Sequence, residues 1–301
     1  MTIRNTEIFV TVAALGNMSE AARALYVSQS SISQAISAIE QEYGVVLFER
    51  LNHRLYLTAA GKEMLGYAKV LLNAESDMER FLRSSGAHRM LRIGSTVTIG
   101  TCVISPLIAD LRKDDPELRI EVMVENTNKI ELALLNNDID IGLVEGRINN
   151  PELITRHVIQ DKLVLITPES HRFASRGIVD VKELEGEPFI LREKGSGTRN
   201  QFEEQMKNLE IPVDIVWSCS NSEAIINAVE AGHGISVISE RLVRESAPNK
   251  KLGICDVNQL NLERFFDVVY HKDKCITEPM NGFIQACKTY GAGTVEVGGN
   301  E

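Results

Sequence analysis

At Leu91 the chain changes period. Before it, apolar residues recur at three- and four-residue spacing; after it, short runs rich in Val and Ile alternate with helical patterns. The first texture builds short helices and one long helix, the second an α/β domain. A chain of 301 residues can hold a core in each part. The joint is expected at "SSGAHR", Ser84–Arg89, and the glycine-rich tail "GAGTVEVGGNE" is expected to be disordered at its end.

Within the first part, Ile8, Phe9, Val12 and Leu15 share one helical face that ends at Gly16 and Asn17. Ser19 stands where an N-cap would open the short helix "EAARAL", and Ser28 where one would open "SQSSISQAISAIE". On that second helix Ile32, Ala35, Ile36 and Ile39 face inward. Ser30, Ser33, Gln34, Ser37 and Gln41 take the opposite face, which carries hydroxyls and amides and no positive charge. Two short helices joined by a tight turn make a helix-turn-helix. The competing reading of this face is a solvated side of a three-helix bundle.

"VVLFERLNHRLYLTAAG" follows, with apolar runs Val45–Phe48 and Leu55–Leu57 around Arg50, His53 and Arg54. A hairpin with a basic tip beside a polar helix reads as a wing, whose cations can meet DNA phosphates. The long pattern over 58–85 carries Met64, Ala68, Leu71, Glu75, Met78 and Leu82 at spacings of four and three. Such a heptad seam predicts pairing with a second copy, with Glu75 as its interruption.

Net charge sets the terms of any nucleic-acid contact. The chain carries a formal −10. Residues 1–60 hold four arginines against five glutamates, a formal balance of −1. DNA binding must then be local, and tight binding needs several such domains on one operator. Five cysteines, widely spaced and without a CxxC pair, read as reduced thiols rather than a disulfide or zinc framework. The N-terminus lacks a cationic head with a cleavage site, and no apolar run has transmembrane length. The expected location is cytoplasmic, without membrane association.

The stretch "IFVTVAALGNMSEAARALYVSQSSISQAISAIEQEYGVVLFERLNHRLYLTAAG" resembles the N-terminal signature of the LysR-type transcriptional regulators. The resemblance runs over essentially the whole chain. It implies an α+β multidomain fold: a winged helix-turn-helix over 1–60, a dimerising linker helix over 61–88, and an effector-binding domain over 89–301. That last domain would be two-lobed and α/β, similar to periplasmic binding proteins, with lobe I about 89–160 and 267–301 and lobe II about 161–266. The implied partners are promoter DNA, a small effector, further copies of the chain as homodimer or homotetramer, and RNA polymerase. No cofactor, metal or catalytic residue is implied. Family base and phosphate contacts map onto Gln29, Ser30, Ser33 and Gln34, and in the wing onto Arg50 and Arg54. His53 departs from the arginine of many relatives and leaves that wing contact weaker or pH-sensitive.

In the expected α/β domain, strands run at Leu91–Val97, Leu118–Glu125, Ile139–Glu145, Leu163–Pro168, Pro188–Arg192, Asp214–Ser218 and Ile235–Ser239. Helices are expected at Cys102–Arg112, Asn128–Asn136, Thr198–Asn208, Ser222–Ala231 and about Glu278–Tyr290, with crossings between lobes near Gln160 and Phe266. Two strand-to-helix turns belong at the rim between the lobes. "GSTVTIGT" brings Ser95, Thr96, Thr98 and Thr101, and "REKGSGTR" brings Ser196, Gly197 and Thr198. Small residues, hydroxyls and free amides at a helix start suit an anion. Read alone, each turn is equally a helix cap.

Regulators of sulfur assimilation in the family bind a sulfur oxyanion with the first of these loops, and "REKGSGTR" resembles the carbon-fixation and sulfur-metabolism regulators. Carried over, the positions are Thr96 and Thr98, with Gly197 and Thr198 opposite. This chain departs at Ile99, where those relatives have glutamine, and at Glu145, where they have threonine. A carboxylate repels a dianion unless it is protonated or screened by Arg147. The expected effector is thus a small anion: a sulfur oxyanion such as sulfite or sulfate first, a small organic acid second.

Three rivals remain at this stage. A thiol-based redox sensor would use Cys102, expected at the start of a helix, or Cys219. An enzyme lacks any HxxxH pair, phosphate loop or nucleophile elbow in the sequence. A binding protein that does not touch DNA conflicts with the N-terminal helix-turn-helix.

Overall fold

The computed structural model describes residues 1–51, 54–83, 90–246 and 251–296. His53, the joint at Ser84–Arg89 and the last five residues of the tail therefore lie outside the described residues. The chain divides into two compact units, Met1–His88 and Arg89–Glu301.

The first unit contains α1 (Ile3–Leu15), α2 (Met18–Ala24), α3 (Gln29–Tyr43), β1 (Phe48–Leu51), β2 (Arg54–Leu57) and α4 (Ala59–Arg83). Gly16 ends α1 in the left-handed region, as expected from the sequence. The cap of α2 is Asn17, whose side chain accepts from the amides of Ser19 and Glu20; Ser19 is already inside the helix. This corrects the expectation for Ser19, because the helix opens two residues earlier, where Asn17 accepts from the amides of its first turn. Ser28 caps α3 and accepts from the Ser31 amide. The core joins Phe9 and Val12 of α1, Ala21 of α2, Ile32, Ile36 and Ile39 of α3, and Ala68 of α4. Leu15 is 43% exposed, since the helix ends before that residue can turn into the core.

The second unit runs β3 (Met90–Thr96), α5 (Val97–Cys102), α6 (Ile104–Asp114), β4 (Arg119–Glu125), α7 (Thr127–Leu135), β5 (Ile141–Glu145) and β6 (Leu153–Pro168). It continues with β7 (Ile178–Asp180), β8 (Pro188–Arg192), α8 (Gly197–Asn208), β9 (Asp214–Cys219), α9 (Ser222–Glu230), β10 (Ser236–Ser239) and α10 (Glu240–Ser246). β11 (Leu252–Asn258), β12 (Glu263–His271) and α11 (Glu278–Glu296) close it.

One eight-stranded sheet has the order β4-β3-β5-β12-β6-β11-β7, with β10 also on β6. β6 is 16 residues long and pairs with β12 at one end and with β10 and β11 at the other, so it threads both lobes. The sequence reading caught only its second half, because Arg156, His157 and Gln160 interrupt the apolar run of its first half. Gln160 pairs with Phe265 and Ile159 with Phe266, and the register shifts between Phe266 and Asp267. The bulge marks where β12 passes from one lobe to the other. α5, α10 and β11 were not expected, and the helix expected at Cys102–Arg112 is α6, which starts at Ile104. α11, expected to end about Tyr290, runs through to Glu296, and the end of the glycine-rich tail lies outside the described residues.

Candidate functional sites

In the first unit, burial of Ile32, Ile36 and Ile39 turns the other side of α3 outward. Ser30, Gln34, Ser37 and Gln41 are exposed and Ser33 is half-buried. Among the described residues the side chains of Gln29 and Gln34 have no hydrogen-bond partner. Ser28 Oγ lies 2.7 Å from both Ser30 Oγ and Ser31 Oγ, which ties the start of the helix together. Leu55 N donates to Gly16 O at 3.0 Å and fixes β2 against the turn between α1 and α2. The resulting concavity of about 340 Å³ is lined by Asn17, Ser19, Gln29 and Arg54. Two expected contact residues, one from the helix and one from the hairpin, thus line one surface. Arg50 sits on β1 opposite Leu55.

Glu40 belongs to the same helix but is not part of that face. Its Oε1 accepts from the amides of Leu47 (2.8 Å) and Phe48 (3.4 Å). A carboxylate counted against DNA binding is therefore spent on holding the entry to β1.

α4 leaves its own core after Ala68. Met64 and Leu65 pack on that core. Leu71, Met78 and Leu82 are 41%, 57% and 67% exposed. The heptad seam is therefore split, with its first turn intramolecular and the rest bare.

In the second unit, β3 and β5 are parallel neighbours, so Thr96 and Glu145 end side by side. Thr96 Oγ1 donates to Glu145 Oε2, and Thr98 Oγ1 donates to Oε1 at 3.2 Å. Glu145 N in turn donates to Thr96 Oγ1 at 3.3 Å. All three side chains are buried. The first expected anion seat is already filled by a carboxylate of the chain itself.

Ser95 is buried with its hydroxyl on Thr96 O. Thr101 does not join this group: it is exposed, and its hydroxyl donates to Val97 O one turn earlier. Its helix starts at Val97, which carries Thr101 past the first turn.

The second turn is joined to the end of β5 and the start of α7. Thr127 Oγ1 donates to Glu145 O at 2.9 Å and accepts from Gly197 N at 3.1 Å. Asn128 N donates to Gly195 O at 3.3 Å. Gly197 is so close that a Cβ on it would lie 2.2 Å from Glu145 O. Ser196 is the N-cap of α8 but makes no side-chain cap bond. Thr198 Oγ1 accepts from Arg264 Nη1 at 2.9 Å. Arg264 Nε donates to Asp161 Oδ2 at 2.7 Å, and Asp161 Oδ1 accepts from Ser239 Oγ at 2.7 Å.

A family model described as the LysR substrate binding domain matches residues 84–292, and one for the bacterial regulatory helix-turn-helix protein of the lysR family matches residues 3–62. The HTH-type transcriptional regulator YeiE of Escherichia coli K12 is 31% identical over 287 residues, covering 95% of this chain and 97% of that one. The chain is a LysR-type transcriptional regulator. Full-length CbnR solved with its target DNA superposes with a TM-score of 0.64 at 20% identity, covering 96% of this chain and 99% of that one. The CcmR regulatory domain of Synechocystis PCC6803, in complex with 2-PG, gives a TM-score of 0.63 at 24% identity, covering 67% of this chain and 97% of that one. At these identities the two structures show a shared fold.

Three residues of the hydrogen-bonded group around Glu145 and Thr198 in this LysR-type regulator were missed from the sequence. Thr127, Asp161 and Arg264 stand far from the two glycine- and serine-containing turns. The one available signal was a threonine N-terminal to the "NKIELALL" helix, which reads simply as a cap.

The cysteines lend no support to redox sensing. Cys102 is buried and closes α5 instead of opening a helix. Burial pushes the Cys219 thiol up, against the opposing pull of Arg192. Glu152, His271 and Asp273 bring one ligand atom each within 4.8 Å, but Lys272 Nζ sits 2.9 Å from Glu152 Oε1 and supplies the cation itself. No helix among the described residues is long and apolar enough to cross a membrane.

Proposed function

We propose that this regulator reads operator DNA with Gln29, Ser30, Ser33 and Gln34 of α3 and holds the backbone with Arg50, His53 and Arg54 of the wing. It acts as a homodimer joined along the bare half of α4, or as a tetramer made of two such dimers. The exposed stripe Leu71, Met78 and Leu82 supports this, since a helix face of that kind in water favours a second copy. CbnR, similar over nearly its full length, was solved on its target DNA.

The effector is a small, singly charged oxyanion bound between the lobes. The observation that carries this is the Glu145 carboxylate held by Thr96 and Thr98. A buried carboxyl group of the chain already fills the threonine seat, so a dianion placed beside it is disfavoured. Sulfite, partly protonated near neutral pH, fits ahead of sulfate, and a small organic acid comes second. The likeness to a regulatory domain solved with 2-PG supports a small ligand in this domain.

A thermal-shift screen of the full chain against sulfite, sulfate, thiosulfate, phosphate and small carboxylic acids tests the reading. A ligand at one hundred times its Kd stabilises by about 2.7 kcal/mol. Stabilisation by sulfite or a monocarboxylate is expected. Stabilisation by apolar or cationic compounds alone would overturn it.

A further inference from the structure

We propose that the effector's negative charge is met on the second-lobe side of the cleft, by Arg264 together with Ser196 at the start of α8, and not by the threonines of the first lobe. The proposal rests on the reading of the cleft as an anion site and names the groups that recognise the anion.

Arg264 lies on β12 beside the bulge, and its side chain is 4% exposed. Two of its three nitrogens are spent: Nε on Asp161 at 2.7 Å and Nη1 on Thr198 at 2.9 Å. Nη2 is fully buried and has no hydrogen-bond partner among the described residues. Ser196 Oγ is in the same condition, in a residue that is 1% exposed. A serine at an N-cap ordinarily turns its oxygen onto the amides of the first turn. Here it does not. Buried donors without acceptors are costly and rare in folded proteins. The two lie at one place, because Arg264 is bonded to Thr198, two residues from Ser196 and within the first turn of α8. Thr198 Oγ1 accepts from Arg264, which leaves its own hydroxyl hydrogen to donate.

The charges agree with this placement. Asp161 stands between Arg264 at 2.7 Å and Arg241 at 3.5 Å, so one carboxylate faces two guanidinium groups and a net positive charge remains. The 12-residue helix α8 adds the partial positive charge of its N-terminus. On the neighbouring strand β5, Glu145 is the register partner of Phe266, and the Arg264 guanidinium lies 5.5 Å from the centre of that phenyl ring. The site therefore has a positive second-lobe end and, on the first-lobe side, the Glu145 carboxyl group. The ligand class that matches is an oxyanion of one net charge, offering at least two oxygens to Arg264, Ser196 and Thr198. A protonated oxygen, hydroxyl or amine on the same molecule can face Glu145.

The test uses the full chain with sodium sulfite and sodium pyruvate as probes and sodium chloride at matched ionic strength as control. Arg264→Met, Arg264→Lys and Ser196→Ala are compared with the parent by thermal shift and by titration. Ser196→Ala removes only an unbonded buried hydroxyl, so the free protein should melt at or above the parent temperature while the bound probe weakens about fivefold or more. Arg264→Met should weaken it about tenfold to a hundredfold, with Arg264→Lys recovering part of the loss. Natively folded Ser196→Ala and Arg264→Met proteins that bind the probe as the parent does would overturn this assignment while leaving the anion cleft intact. Failure of every anion to bind the parent would overturn both.

Discussion

Gly146 and Gly197 meet backbone to backbone across the two lobes. Gly146 has φ +94, a Cβ there would lie 2.6 Å from Gly197 Cα, and a Cβ on Gly197 would lie 2.2 Å from Glu145 O. No side chain fits between these two segments. The same contact lets Thr127 reach both Glu145 O and Gly197 N, so the second turn singled out in the sequence is bolted to the end of β5 by a residue that neither segment contains.

Gly197→Ala should therefore separate the lobes at this point. Overpacking against a rigid backbone costs about 1–3 kcal/mol, with the start of α8 shifted away from β5. A lowered melting temperature, and a larger radius of gyration by small-angle scattering, are the expected results. An unchanged melting temperature would show that the contact yields without cost.

Asp140 carries a pH-dependent share of stability. Its Oδ1 lies 2.7 Å from Arg92 Nη2 and 2.7 Å from Lys274 Nζ, and Oδ2 accepts from the Arg92 backbone amide at 2.8 Å. Burial pushes the carboxyl up, but the bonds from Arg92 and Lys274 outweigh it and hold the group below its ordinary range. A carboxyl depressed in the folded state adds stability above its unfolded pKa and loses it as pH falls through its folded pKa. Asp140→Asn should cost about 3 kcal/mol at neutral pH, because two cations lose their partner. Urea unfolding at a series of pH values should show parent and variant converging only in strong acid.

The helical unit was largely legible in the sequence because its signals are local. Capping by Ser28 and the isoleucine spacing of α3 specify one helix, and Gly16 specifies the end of another. The cleft was legible only in its turns. Thr96, Thr98, Ser196, Gly197 and Thr198 announce themselves by lying between a strand and a helix. Asp161 and Arg264 are 103 residues apart, and only the pairing of β6 with β12 makes them neighbours. The partner of the threonines was likewise hidden. Glu145 looked like an obstacle to an anion, whereas in the structure it occupies the seat that the anion was expected to take.

On α3 and the wing, polar and charged residues should act differently. Gln34 is exposed on an uncharged helix face, and an amide there can distinguish base edges. Gln34→Ala should relax sequence preference by about 1–3 kcal/mol at one position and leave the salt dependence unchanged. Arg54→Ala should weaken binding to all sequences alike and lower the salt slope by about one. Titrations of a selected operator and its single-base variants at several salt concentrations separate the two; matching losses in both variants would remove the distinction.

The bare half of α4 predicts how assembly and DNA binding are linked. Met64 and Ala68 pack within their own unit, while Leu71, Met78 and Leu82 are exposed along the same seam. Met78→Glu places a charge in the middle of that exposed stripe without touching the core of the unit. A charge buried at a helix pair without a partner is strongly unfavourable, so the dimer should weaken while each unit stays folded. Residues 1–60 have no net positive charge to bind DNA strongly as single copies. Loss of the dimer should therefore lower operator affinity by about a hundredfold or more, the usual scale of lost avidity. Sedimentation velocity reads the first effect and operator titration the second, and a monomer that kept full operator affinity would show that one recognition helix suffices.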